Sequence, residues 1–340
     1  MSTVLQRLNG ALHEVLASDP SVFFLGEDVL DPYGGAFKVA AGLSTRFPQR
    51  VLTTPVSEGA IAGVATGLAV RGCRAVAEIM FGDFLTLTAD ILINSASKFR
   101  WLYGGDVRVP IVVRAPMGGR RGYGPTHSQS LEKHFLGVPG LRVVAPHAFA
   151  DPGALLAHAV LADDDPVLFI EHKLLYGCGV REGASAGELT IERPHDPYGP
   201  TRLSPPAGCA PRVTFACYGY MAELVCEAMN QLVFEHELFT EAVIFSQLSP
   251  PDLVMLGASA GRSRHLVTVE EGSGAFGWGG ELVARLTDQG VGLARTARVA
   301  GRECVVPSSR VLEAAVLPDV EDIVARALQI CGRDVSAGER

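Results

Sequence analysis

The chain has 340 residues, of which 48% are apolar and 19% charged, and its formal net charge is −8. This is the composition of a well-buried globular protein long enough for two cores. The acidic balance leaves no electrostatic footprint for nucleic acid, and no apolar run approaches the roughly 20 residues that cross a bilayer. Seven cysteines, an odd number without Cys-x-x-Cys spacing, make neither a disulfide framework nor a zinc site. The first residues lack the apolar stretch of a signal peptide, so a cytoplasmic protein is expected.

In chain order, residues 2–17 read as an amphipathic helix and 22–26 as a short buried strand that ends at Gly26-Glu27-Asp28. A second extended piece, 51–53, runs into Thr54-Pro55-Val56-Ser57-Glu58. Ser57 is placed to cap the helix that follows, and Glu58 falls in its first turn, where the helix dipole favours a carboxylate. Behind them Gly59, Gly63 and Gly67 share one face, at a cost of about 1 kcal/mol each relative to alanine. Such a stripe suits either tight packing inside one domain or a close approach by a partner. Residues 75–79 form a third strand, 84–103 a long helix, 110–114 and 141–145 two more strands, 151–162 a helix and 167–171 a sixth strand. Continuous apolar strands alternating with helices imply a parallel sheet covered on both faces, with ligands beyond the carboxyl ends of the strands.

Residues 177–212 carry prolines and glycines without periodicity and read as a linker or extended arm. Strands at 213–217, 242–245, 266–270 and 297–299, with helices at 221–234 and 318–330, then build a smaller α/β domain.

Three clusters bear on chemistry. Gly257-Ala258-Ser259-Ala260-Gly261 fits a nucleophile elbow in spacing, but the order around it is helix then strand, the reverse of what an elbow requires. Gly272-Ser273-Gly274-Ala275-Phe276-Gly277 fits a dinucleotide fingerprint but lacks the later acid, so a glycine-rich turn into a helix is expected. Residues 118–130 surround Arg120, Arg121 and His127 with glycines after the fourth strand, and read as a mobile polar loop whose histidine can shuttle protons or meet a developing charge.

Five motifs stand in one order and spacing: Gly26-Glu27-Asp28, Thr54-Pro55-Val56-Ser57-Glu58, Glu78-Ile79-Met80-Phe81-Gly82-Asp83-Phe84, Thr126-His127-Ser128-Gln129-Ser130 and Glu171-His172-Lys173-Leu174-Leu175-Tyr176-Gly177. Through them the chain resembles, over nearly its whole length, the β subunits of thiamine-diphosphate-dependent 2-oxoacid dehydrogenases. These are the E1 components of the pyruvate, branched-chain and acetoin type, within the transketolase-like superfamily. The resemblance implies an α/β fold of two three-layer α/β/α domains with mostly parallel sheets. A transketolase-like pyrimidine-binding domain is expected at 1–178, a linker at 179–211, and a transketolase C-terminal-like domain at 212–340.

The resemblance also assigns residues. Glu58 is expected to hydrogen-bond the pyrimidine nitrogen of the cofactor, Met80 and Phe84 to line the pyrimidine, and His127 to face the reacting carbon. A structural potassium ion is implied on the backbone carbonyls of Ile111, Val160, Leu161, Asp163 and Asp165. The Gly-Asp-Gly…Asn motif that holds magnesium and diphosphate is absent, because Gly82-Asp83 and Gly105-Asp106 lack the third glycine. Magnesium is therefore expected on a partner α subunit in an α2β2 heterotetramer, with a lipoyl-bearing E2 acyltransferase taking the acyl group from a small 2-oxoacid. Two other functions remain open at this point: a two-component carboligase that passes the acyl group to an aldehyde or ketone, and a non-catalytic scaffold subunit. Leu87-Thr88-Ala89-Asp90 and Phe245-Ser246-Gln247-Leu248 depart from the usual family residues and leave the substrate and the docking to a large complex undetermined.

Overall fold

Thr3 opens the first helix with a reciprocal cap, its hydroxyl accepting from the Gln6 amide while the Gln6 side chain accepts from the Thr3 amide. In the computed structural model, which describes residues 2–333, this helix is α1 (Val4–Ser18). The elements that follow are β1 (Val22–Gly26), α2 (Leu43–Arg46), β2 (Val51–Thr53), α3 (Glu58–Val70), β3 (Arg74–Glu78), α4 (Ser97–Leu102), β4 (Ile111–Met117), β5 (Arg142–Val144), α5 (Pro152–Leu161) and β6 (Val167–His172). Their sheet runs in the order β5-β6-β4-β3-β1-β2, and every pair in it is parallel.

Alternation along the strands decides which layer each residue joins. Phe24, Val76, Val112 and Phe169 point to α1 and α5, whereas Leu25, Ala77, Val113 and Leu168 point to the side of α3. All carboxyl ends lie along one edge, so Glu27, Glu58, Met80, the 118–130 loop and Lys173 are delivered to the same rim.

The long helix expected at 84–103 is broken. A 3-10 turn spans Gly82–Thr88, a π-helical turn spans Ile91–Ala96, and only α4 is regular. Side chains compete with the helix here: Thr88 donates to the Leu85 carbonyl at 2.7 Å and Thr86 to that of Asp83 at 3.3 Å. The 3-10 turn presents the Leu87 carbonyl to α3, and a Cβ added at Gly59 would stand 3.2 Å from that oxygen. A side chain at Gly59 would thus crowd that carbonyl, whereas a Cβ added at Gly67 would meet nothing within 4 Å.

Beyond residue 178 the aperiodic stretch is more than a linker. It holds β7 (Ser185–Ala186), β8 (Leu189–Glu192) and β9 (Thr201–Ser204), which zip antiparallel onto the second sheet. Alternation in Leu189 and Ile191 buries one face of β8, a signal that the surrounding prolines and glycines obscure. β10 (Val213–Tyr218), α6 (Met221–His236), β11 (Thr240–Phe245), β12 (Gln247–Ser249), α7 (Val254–Ser263), β13 (His265–Ser273), α8 (Trp278–Asp288), β14 (Arg295–Gly301), α9 (Arg310–Ala314) and α10 (Val320–Ile330) complete the chain. The second sheet has the order β14-β13-β10-β11-β9-β8-β7, and its first four strands are parallel.

α6 and α10 cover one face of that sheet. The other face packs through Ala216, Tyr218, Phe245 and Trp278 into the same core as Ile61, Leu92 and Phe135 of the first half. β12 crosses over to pair antiparallel with β5 of the first sheet. Two sheets of mostly parallel strands between helices are thus joined by a continuous apolar core. All seven cysteines are free of disulfides, and no described helix is long and apolar enough to cross a membrane.

Candidate active site

Glu58 begins α3 at the rim. Ser57 occupies the N-cap position, as expected, but its hydroxyl makes no capping bond, and it is the Glu58 side chain that turns inward and is buried. No ion pair among the described residues reaches it. Glu27, at the end of the adjacent β1, is equally buried, and its Oε1 has no hydrogen-bond partner. Burial, with the charge of Glu58 next in weight, pushes the Glu27 carboxyl above its ordinary value, while the Ser57 amide pulls the other way.

His127 lies on the loop after β4. Its ring meets Phe81 edge-on with centroids 4.8 Å apart and Phe84 at 5.3 Å, and its Nδ1 is 3.0 Å from the Thr126 hydroxyl. Met80 and Phe84, both partly buried, follow β3. In the sheet order, β3 and β1 separate the strand before His127 from the strand before Glu58. Three strand spacings make about 14 Å. The two expected catalytic side chains therefore follow strands on the same rim, with Glu27, Met80 and Phe84 following the strands between them, and they share no direct bond. The Glu27 Oε1, buried beside Glu58 without a partner, is an acceptor left open for a donor from outside the chain. These residues fit the pyrimidine half of thiamine diphosphate.

Beneath the rim lies a network that the sequence reading did not single out. Arg114, wholly buried in β4, donates from Nε to Glu171 at 2.8 Å and from Nη2 at 2.5 Å, and from Nη1 to Glu78. The Tyr176 hydroxyl completes it, donating to Glu171 at 2.6 Å. Burial raises the Glu78 carboxyl even though Arg114 pulls it down. The network ties β3, β4 and β6 together directly under Met80 and His127. Glu78 and Glu171 both sit within family-like motifs, which was the available signal.

The 118–130 loop is not mobile in the way its glycines suggest. The Gly119 amide donates to Glu271 at 2.8 Å, and the amides of Arg120 and Gly122 donate to Glu313 at 2.9 and 2.8 Å. Both acids are buried and come from the second half of the chain. Arg120 adopts φ +73° to make this turn. Burial alone would raise Glu271, but His172 at 3.0 Å, Arg120 and the Gly119 amide hold its carboxyl at about 2. A loop recruited by distant carboxylates cannot be recognised from its own composition.

The two competing motifs resolve structurally. Ser259 is buried within α7, accepting from Arg262 at 3.2 Å, so no nucleophile elbow exists. At Gly272–Gly277 the N-terminus of α8 is filled from within: Glu270 accepts from the amides of Trp278 at 2.9 Å and Gly279 at 3.0 Å. A Cβ at Gly277 would lie 2.6 Å from that carboxylate, so the glycine serves the turn.

The expected potassium loop is bonded partly from within the chain. Arg74 donates from Nη1 to the carbonyls of Val160 at 2.9 Å and Asp163 at 2.6 Å, so a protein cation engages two of the five expected ligands. Asp165 pairs with Arg100 at 2.9 Å, Leu161 is exposed, and Ile111 opens β4 in register with Ala75. Two of the five expected carbonyls are thus already bonded to Arg74. Among the described residues no cluster of histidine, cysteine or acidic side chains is arranged for a metal.

Comparison with known proteins agrees with this architecture. Residues 3–178 match the transketolase pyrimidine-binding domain, and residues 209–323 match the transketolase C-terminal domain. The chain is 34% identical, over 98% of its length and 87% of the relative's, to the pyruvate dehydrogenase E1 component subunit beta-2 of Oryza sativa subsp. japonica. It is 35% identical to the acetoin:2,6-dichlorophenolindophenol oxidoreductase subunit beta of Cupriavidus necator, over 94% of each chain. A solved structure titled split gene transketolase, inactive beta4 tetramer, shares the fold with a TM-score of 0.74 at 22% identity, covering 96% of this chain and 97% of that one. With both domains matched and relatives above 30% identity across nearly its full length, the chain belongs to the transketolase-like family of E1 β subunits that includes pyruvate dehydrogenase and acetoin oxidoreductase.

Proposed function

We propose that the chain is the β subunit of a heterotetrameric 2-oxoacid dehydrogenase, carrying out oxidative decarboxylation with thiamine diphosphate and transfer of the acyl group to a lipoyl group on an E2 acyltransferase. The observation that carries this reading is the buried Glu58–Glu27 pair, with an unpartnered Glu27 oxygen, on the same strand-end rim as Met80 and the Phe84–His127 contact. When bound, thiamine diphosphate supplies the electron sink that lets a 2-oxoacid lose carbon dioxide. The chain's own work is simpler to derive. Glu58 holds a proton at the pyrimidine ring nitrogen, which needs a carboxyl kept out of bulk water. Glu27, its carboxyl raised by burial and then by the charge of Glu58, stands beside it. Phe81 and Phe84 fix the plane of the His127 imidazole, which meets charge developing on the substrate carbonyl.

The Gly-Asp-Gly…Asn motif for diphosphate and magnesium is absent from the sequence, which supports assignment of those tasks to an α subunit. The test is co-expression with an α subunit bearing the diphosphate motif, followed by a screen of 2-oxoacids with dye or lipoamide as acceptor. The relative named for acetoin oxidation favours including acetoin in the same screen. A 2-hydroxyketone product in place of an acyl-lipoamide would assign the carboligase reaction instead. Assembly without turnover on any substrate would leave the scaffold role.

A further inference from the structure

Lys173 has no task in the account above, yet it is the most deeply buried cation at the rim. It follows β6, its side chain is 0% exposed, and its Nζ donates to the backbone carbonyl of His127. The same nitrogen lies 5.2 Å from the centroid of Phe81 and 5.5 Å from that of Tyr123. Phe81 is the ring that stands edge-on to His127, and Tyr123 stands edge-on to Phe81 at 6.1 Å. One ammonium thus grips the histidine's main chain and the face of the aromatic ring that orients its side chain. The Lys173 amide is in turn fixed to the Met117 carbonyl at 3.0 Å, and its own carbonyl accepts from Arg121 at 3.3 Å.

Burying a charge without an ion-pair partner is unfavourable, and a methionine of similar shape would pack there without that cost. We infer that Lys173 is a positioning residue, whose ammonium sets the reach of His127 at the rim by holding the loop carbonyl and the Phe81 face together. The inference rests on the site reading proposed above. The charged groups facing Lys173 are Asp83 from the turn after β3, Glu271 from β13, Glu313 from α9 and Arg121 from the loop itself. Burial lowers its pKa to about 8 in spite of the three acids, so the grip weakens as pH rises through that region.

Two substitutions and two readouts test this. In the assembled enzyme, Lys173→Met should lower kcat by about 10- to 100-fold with KM nearly unchanged, since only the orientation of a group that meets charge developing in the reaction is lost. Its Tm should be unchanged or higher, the opposite of what a purely structural lysine would give. Lys173→Arg should recover part of kcat and move the alkaline limb of the pH profile upward, because a guanidinium stays charged. Independently of activity, amide hydrogen exchange on the full chain should rise in residues 119–128 in Lys173→Met and not elsewhere. In the wild type the same amides should exchange faster above pH 8 after correction for the intrinsic rate. Wild-type kcat together with unchanged exchange at 119–128 in Lys173→Met would overturn the inference. If the wild-type complex decarboxylates nothing, the functional reading fails, and the exchange data still decide whether Lys173 holds the loop.

Discussion

Glu58 and Arg114 are both buried ionisable side chains, and the physics of their burial differs. Arg114 is fully paired with Glu78 and Glu171, so removing it strands two carboxylates in a low-dielectric interior. Arg114→Met is expected to cost about 3–5 kcal/mol, read as a fall in denaturation midpoint. Adding Glu78→Gln and Glu171→Gln to the same chain should recover part of that loss. Glu58 by contrast is buried without an ion-pair partner, which a protein tolerates where something outside the chain completes the site. Glu58→Gln should therefore leave folding and assembly intact while lowering decarboxylation by about 10²-fold or more, measured as turnover at saturating cofactor.

At the scale of elements, the loop that carries His127 owes its shape to Glu271 and Glu313. Glu271 has a folded pKa of about 2 against an ordinary 4.5. A depressed carboxyl contributes stability that is fully present above the unfolded value and is lost as pH falls. The clamp should thus loosen between about pH 4.5 and 2, with at most about 3 kcal/mol at stake. Melting temperature followed from pH 7 to 3 should fall more steeply in the wild type than in Glu271→Gln, which starts lower at neutral pH.

This element also marks the limit of what the chain's text discloses. Strands of the first sheet were legible because both their faces are apolar, and the place of Glu58 in the first turn of a helix was legible from the Pro55-Val56-Ser57 lead-in. The break in the helix after Gly82 was hidden, since threonine hydroxyls redirect the backbone there without disturbing the apolar spacing. The strands β7 to β9 were hidden by the prolines and glycines between them. Glu271 and Glu313 were hidden because their partners are backbone amides more than 150 residues away in the chain.

For the whole molecule, the open side of α3 decides how the site is completed. Gly59 packs against the Leu87 carbonyl, but farther along the helix Gly67 meets nothing, and Val56 and Val64 are 81% and 51% exposed. Trp101, 86% exposed at the end of α4, adds a second apolar projection. Apolar groups held in water beside a half-built site suit coverage by another subunit. Val64→Glu should abolish co-purification with the α subunit while the isolated chain keeps its melting temperature. The most direct test of the account is thiamine-diphosphate-dependent carbon dioxide release from 2-oxoacids by the chain alone, by its complex with an α subunit, and by the complex carrying Glu58→Gln. Full release is expected from the wild-type complex, release lowered about 10²-fold or more from the Glu58→Gln complex, and none from the isolated chain. Release by the isolated chain, or undiminished release by the Glu58→Gln complex, would contradict the account.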